Sequence, residues 1–443
     1  MRVLNHREPA FEAAWEEIVD RADGGVGDEI LQQATVIVED VRRRGDVALV
    51  EQTARLDRWS PSDPDELVVS PEMLQAAWDG LAADLRKALT TAHDRIRSFH
   101  ERQVRPAGWE GELTEGDGVT VGWRSRALRR AGLYVPGGTA AYPSSVLMNI
   151  VPAKVAGVGQ VVMVSPTPDG VPSKVAWAAA HLAGADHVVR IGGAQAIGAM
   201  AYGTERVPRC DLIVGPGNAW VAAAKRLVAM RGRVAIDMEA GPSEVLIIAD
   251  GDANPEFVAA DLLAQAEHDP RAVPGLIVID APELEAPVLA ALTRRLQSLP
   301  RADIARVAVQ GRGFLIHVAN RAAAALLADD YAPEHLELLV ERPRDLFEGI
   351  DTAGAVFLGG WSPEALGDYL AGPNHVLPTA GTARFSSPLG VSHFLRRTSV
   401  IEADEAGLRS LAEPVRLLAR AEGLDGHADA VSARCDPPEA PID

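Results

Sequence analysis

Cys210-Asp-Leu-Ile-Val214, Gly215-Pro-Gly217-Asn218 and residues 219–230 read in succession as a short apolar strand, a glycine turn and a helix. The same unit recurs on either side. Leu133-Tyr134-Val-Pro136-Gly-Gly138-Thr opens the series, and 160–165 is an apolar run followed by a helical pattern over 173–183. Residues 186–191 lead into Gly192-Gly193-Ala-Gln195 and a helix of small residues, and 234–238 closes the set. Strands alternating with helices over about 110 residues predict a parallel sheet covered on both faces. A second series follows, with strand-like runs at 244–249, 276–280, 306–309 and 355–358 and helices at 255–268 and 282–299. It predicts a second, related α/β domain.

The flanks have another texture. Residues 11–22, 28–44 and 71–99 carry apolar side chains at helical spacing, and 57–66, with Pro61, Pro64 and several acids, reads as a surface loop. Residues 109–123 alternate and are glycine-rich, which predicts a hairpin or edge strands. Residues 402–423 read as an amphipathic helix interrupted at Pro414, an arm that must pack on something, and 437–441 as a frayed tail.

At 443 residues the chain is too long for a single core, and two or three domains are expected. Its formal net charge of −19 disfavours nucleic acid or an anionic membrane as partner. Two cysteines, Cys210 and Cys435, build neither a disulfide framework nor a cysteine-rich zinc site. With no signal peptide at the start and no apolar run long enough to span a bilayer, a cytoplasmic protein is expected.

Three clusters carry candidate chemistry. In Leu262-Leu-Ala-Gln265-Ala-Glu-His268-Asp-Pro270, Gln265 and His268 project from one face of a helix stopped by Pro270, a spacing that suits two ligands of one metal ion. Gly367-Asp368-Tyr-Leu-Ala-Gly-Pro-Asn-His375 reads as a loop in which Asp368 could add a hard oxygen. A further histidine is then needed, and His375 and His427 are the candidates. Pro333-Glu334-His335 offers a proton acceptor beside a carboxylate that can activate water. Adjacent strand residues point to opposite faces, so both enter one site only if the backbone turns at Pro333. Finally, Gly215-Pro-Gly217-Asn218 could hold a phosphate at a helix start or serve only tight strand-to-helix packing. It lacks the usual dinucleotide fingerprint, but three glycine turns with polar Tyr134, Gln195 and Asn218 end neighbouring strands of one sheet.

Taken together, Leu133-Tyr134-Val-Pro-Gly-Gly-Thr, Gly192-Gly-Ala-Gln195, Gly215-Pro-Gly-Asn218, Ala240-Gly-Pro-Ser243-Glu, Gln265-Ala-Glu-His268, Pro333-Glu334-His335-Leu-Glu, Gly367-Asp368-Tyr, Asn374-His-Val-Leu-Pro-Thr and Glu422-Gly-Leu-x-x-His427 resemble the histidinol dehydrogenase family, in that family's order and over nearly the whole chain. The resemblance implies NAD-linked oxidation of L-histidinol through the aldehyde to L-histidine, with two NAD consumed and one Zn2+ per subunit. It implies zinc ligands Gln265, His268, Asp368 and His427, the last from the other subunit of a domain-swapped homodimer. His335 would be the general base and Glu334 the activator of water. Ser243, Gln265, His268, His335, Asp368, Glu422 and His427 would contact substrate, and Tyr134, Gln195 and Asn218 would contact NAD. Zinc would position the substrate's imidazole and amine rather than polarise the alcohol.

The fold implied is two related Rossmann-like domains of atypical dinucleotide type. The expected division is an N-terminal helical arm at 1–25, a main domain at 26–130 plus 240–380, an NAD-binding domain at 131–239, and a C-terminal arm at 381–443 completing the partner's site. The rival readings are a zinc hydrolase using the same ligands without NAD, and a non-catalytic binding protein.

Overall fold

The computed structural model describes residues 1–21, 27–104, 118–137, 142–238 and 241–436, and the backbone alone of 109–114. The second half of the Pro136-to-Thr139 turn, Ala240 and the tail from Pro437 lie outside the described residues.

Two six-stranded sheets organise the larger of two compact units, Met1–Val104 with Leu128–Phe394. In the first sheet all pairings are parallel, in the order Arg2–Asn5, Phe314–Val318, Val273–Ile279, Glu244–Ala249, His335–Leu339, Ala355–Leu358. In the second the order is Val68–Val69, His187–Val189, Gln160–Val164, Arg130–Tyr134, Leu212–Val214, Ala235–Ile236, parallel except for the two-residue edge strand. Leaving out each outer strand from the chain's first seventy residues, both sheets run third, second, first, fourth, fifth by chain position. That shared order makes the two domains related in topology. It also places a switch point, where consecutive connections leave in opposite directions, beside the first strand of each sheet.

The strands form as continuous apolar runs because helices cover both faces. Every residue of Val273–Ile279 and of Glu244–Ala249 is buried. Their helices pack Val258, Ala259, Leu262 and Leu263 on one side and Leu327, Ala328 and Tyr331 on the other.

Residues 28–101 pack on the second sheet: Ala34, Ile37, Val38 and Leu49 meet Tyr134 and Val164, while Leu74, Leu89 and Ile96 meet Leu133, Met163 and also Val376. The start of the chain is tied to the first sheet by the Arg2–Asn5 strand and by Phe11 and Trp15 in its core, rather than standing off as an arm. Residues 306–309, read as a strand, lie in the helix Ala302–Gly311, whose buried Ala305, Ala308 and Val309 follow helical spacing; the strand is Phe314–Val318.

The smaller unit is Arg105–Ala127 with Leu395–Asp443. It holds an antiparallel sheet of Leu395–Ala403, Val119–Ala127 and Trp109–Thr114, then the helices Glu405–Ala421 and Asp425–Cys435. The first of these helices runs unbroken through the exposed Pro414, where an interruption was expected. Among the described residues the smaller unit's buried apolar side chains are Ala412, Ala419, Ala428, Val431 and Cys435, while Ile401, Leu417 and Leu418 are exposed. Among the described residues no helix is long and apolar enough to cross a membrane.

Candidate active site

The helix Pro255–Ala266 starts at Asn254, whose side chain accepts from the Glu256 N–H at 2.9 Å. Its last turn delivers Gln265, wholly buried, and the chain continues as a turn that presents the exposed His268. The two side chains meet at 3.4 Å. Turned so that its nitrogen lies 3.0 Å from the Glu244 carbonyl and 3.2 and 3.3 Å from the Glu364 oxygens, the Gln265 amide aims its oxygen toward His268. That is the orientation a metal ligand requires.

Asp368 sits in a short helix, Glu364–Tyr369, and not in a loop as expected; the loop begins beyond it. The backbone N–H of Glu364 donates to Glu337 at 2.9 Å, so a carboxylate holds the helix start. Gly367 lets this helix close on Phe357, since a Cβ there would fall 2.6 Å from the ring. One turn apart, Glu364 and Asp368 share a face, and one ligand atom each from His268, Glu364 and Asp368 lies within 4.8 Å of the others. Glu364 escaped the sequence reading, although its four-residue spacing from Asp368 carries the signal. Burial, then the charges of Asp368, Glu337 and Glu334, push its carboxyl well above the usual range. A dication would relieve that crowding. The nitrogen and oxygen donors present fit zinc.

Glu334 and His335 begin the strand His335–Leu339, immediately after Ala332 in a left-handed turn (φ 50°). Glu334 lies before the pleat is established, so both side chains reach one buried site, with Glu334 Oε2 3.7 Å from His335 Nδ1. Gly354 makes this possible, because a Cβ there would sit 2.5 Å from the Glu334 carbonyl oxygen. His335 Nδ1 is 3.0 Å from the Glu244 carbonyl, which can only accept, so Nδ1 carries the hydrogen. Nε2 is left as a buried acceptor with no partner among the described residues, 4.0 Å from Asp368. Burial is the main cause that lowers His335 to about 4, and the ring is neutral at physiological pH. Glu334 accepts from the Glu244 N–H at 2.9 Å, yet burial pushes its carboxyl well above the usual range. Glu244 itself is locked by buried Arg21 at 2.6 Å.

His375, one of two candidates for the additional ligand, has another job. Its Nδ1 donates to the Asp368 carbonyl at 2.9 Å, and its Nε2 lies 3.4 Å from Ser145 of the second sheet's domain. Ser243 is half-buried just before the Glu244 strand. Glu422 and His427 belong to the smaller unit, exposed at the end of one helix and the start of the next.

This cluster gathers at the amino ends of the first sheet's strands, contrary to the usual placement of ligands in open parallel sheets. The second sheet follows the usual placement. Tyr134 ends its strand, and Gln195 and Asn218 follow theirs at helix starts. All three line a cavity of about 710 Å³ with Asp57, Pro166, Gly193 and Trp220. The Tyr134 hydroxyl accepts from the Gly193 N–H at 3.2 Å, and both amide atoms of the fully buried Gln195 lack a partner among the described residues. Asn218 caps its helix, accepting from Trp220 and Val221. The glycines before it serve packing as well: a Cβ on Gly215 would fall 2.2 Å from the Tyr134 carbonyl oxygen.

Comparison with known proteins identifies the family. A family model described as histidinol dehydrogenase matches residues 23–435. Histidinol dehydrogenases of Ralstonia nicotianae and Bordetella parapertussis are each 51% identical to this chain, over 96% and 98% of it and 93% and 97% of their own lengths. A crystal structure of histidinol dehydrogenase from Elizabethkingia anophelis, 34% identical, matches with a TM-score of 0.91 over 98% of both chains. With a described family spanning nearly its whole length and relatives at half identity, the chain belongs to the histidinol dehydrogenase family.

Proposed function

We propose that the chain oxidises L-histidinol through L-histidinaldehyde to L-histidine in one site, using two NAD and one zinc per subunit, as a cytoplasmic homodimer. Family membership makes it an oxidoreductase acting on histidinol. The observation that carries the finer reading is the buried, unpartnered Nε2 of His335 beside the His268, Glu364 and Asp368 group.

Gln265, His268, Asp368 and the partner subunit's His427 would hold zinc, which when bound supplies an anchor for the imidazole and amine of histidinol. NAD in the cavity lined by Tyr134, Gln195 and Asn218 would supply the hydride acceptor. His335 Nε2 takes the hydroxyl proton as hydride leaves the carbinol carbon. In the second half Glu334 takes a proton from the water that adds to the aldehyde, and hydride leaves again. Burial raises the Glu334 carboxyl above its ordinary range, which makes its ionised form a stronger proton acceptor. Ser243, and Glu422 of the partner subunit, would contact the substrate. The thin core of the smaller unit and its exposed Ile401, Leu417 and Leu418 support a partner surface.

NADH formation with L-histidinol, on metal-stripped protein with and without added zinc, tests the reading. Two NADH per histidinol, only with zinc, is expected. Zinc-dependent hydrolysis without NADH would favour the hydrolase reading instead.

Glu334→Gln separates the two halves. Its amide oxygen can still accept from the Glu244 N–H but cannot take a proton. With the aldehyde as substrate, turnover should fall roughly 10²–10⁴-fold, while a single-turnover alcohol oxidation changes little. An aldehyde rate within a few-fold of the parent enzyme would remove Glu334 from the role.

A further inference from the structure

We propose that Asp57 binds and selects the cofactor: its carboxylate accepts the 2′-hydroxyl of the adenosine ribose of NAD and repels the 2′-phosphate of NADP. This rests on the reading of the 710 Å³ cavity as the NAD site.

Asp57 follows the last residue of the helix Asp46–Leu56. It was expected to open an acidic surface loop, yet it is only 9% exposed and forms part of the cavity wall. Among the described residues its buried Oδ2 has no partner. A carboxylate taken out of water without a donor is costly, and its retention there is explained by a ligand that brings the donor. Gln195, on the same wall, has both amide atoms unpartnered. An acceptor-only carboxylate and an amide with both atoms open together match a vicinal diol, which donates and accepts within one short span.

Electrostatics places the parts of the dinucleotide. Gly193 and Asn218 bring helix starts to the cavity, where N–H groups and the positive dipole end favour phosphates. Asp57 stands at the carboxyl end of its helix, where carbonyls and its own charge disfavour them. Val36, Ile37 and the adjacent Leu56 supply apolar wall for a purine. Arg55, the basic side chain of the wall, is exposed and held by Gln52 at 2.6 Å. Burial raises the Asp57 carboxyl to about 6, which leaves it ionised at neutral pH.

The test is steady-state kinetics of zinc-loaded Asp57→Asn and Asp57→Ala with varied NAD and NADP. KM for NAD should rise about tenfold, and the preference for NAD over NADP in kcat/KM should fall by about tenfold or more. KM for histidinol and zinc content should hold, which reports an intact fold. An unchanged NAD-to-NADP preference in Asp57→Asn would overturn the inference, and if Gln195→Ala still raises KM for NAD, it would overturn the inference alone. If neither Asp57→Asn nor Gln195→Ala moves KM for NAD in active enzyme, the cavity is not the NAD site and both readings fall.

Discussion

Replacing His335 with Asn should lower turnover of histidinol by roughly two to four orders of magnitude, the usual worth of a general base. The substitution isolates one function. An Asn amide can still donate to the Glu244 carbonyl, which now holds Nδ1 at 3.0 Å. It offers no basic nitrogen at the position of Nε2. That atom is buried and unpartnered, so a substrate hydroxyl would give it its only hydrogen bond there among the described residues. The sign with pH follows from burial. His335 is lowered to about 4, so the base is already deprotonated at neutral pH and is lost only as the solution becomes markedly acid. Single-turnover NADH formation, with zinc content measured on the same sample, checks the prediction. A near-parental rate in a fully zinc-loaded variant would take His335 out of the role; a slow rate with lost zinc would instead reveal a positioning role.

The parts of this architecture that were legible are those where local pattern and tertiary environment agree. Runs such as Leu212–Val214 before a glycine turn could be read as sheet strands because both faces are covered, leaving no polar side to blur the signal. Residues 306–309 show the limit. The short apolar run Val307-Ala308-Val309 fits strand or helix, and the burial of Ala305 and Ala308, one turn apart, decides for helix. The grouping of 28–101 with the second sheet was illegible for a related reason, since an amphipathic helix declares a buried face but not the surface it meets.

At the site, Gln265, His268 and Asp368 were found because each stands beside turn formers. Glu364 and Asp57 were not, because nothing local distinguishes a buried acid from a solvated one. Glu364 is buried only because the Glu364–Tyr369 helix closes on Phe357 and on Glu337. Asp57 is buried where its helix end borders the cavity that Gly137 and Gly193 also line, with its carbonyl accepting from the distant Asp169 N–H at 2.8 Å. The expected conflict at Glu334–His335 was real. It was resolved by a left-handed residue, Ala332, and by Gly354, two positions that the local motif does not contain.

His427→Ala should leave the protein, a homodimer in the function proposed above, with little bound zinc and little activity. Its loss should exceed the roughly 10–100-fold in metal affinity that outer-shell partners cost. A mixed dimer tells which chain His427 serves. One protomer carries His335→Asn with His427 intact, and its partner carries His427→Ala with His335 intact. If His427 completes the site across the interface, the partner's His335 receives an intact His427, and the purified mixed dimer has one working site and about half the parental activity. If His427 serves its own chain, each site carries one lesion and the mixed dimer is dead. The physical basis for sharing is the poverty of the smaller unit's core. Among the described residues Ala412, Ala419, Ala428, Val431 and Cys435 are its buried apolar side chains, a small set for two helices that leave Leu417 and Leu418 exposed. A unit so thinly packed gains stability by docking on another surface, and its two helices carry Glu422 and His427 between them. Zinc content of about one tightly held ion per mixed dimer, against two in the parent, would accompany the half activity. A dead mixed dimer with folded, dimeric protomers would overturn sharing across the interface and return His427 to its own chain.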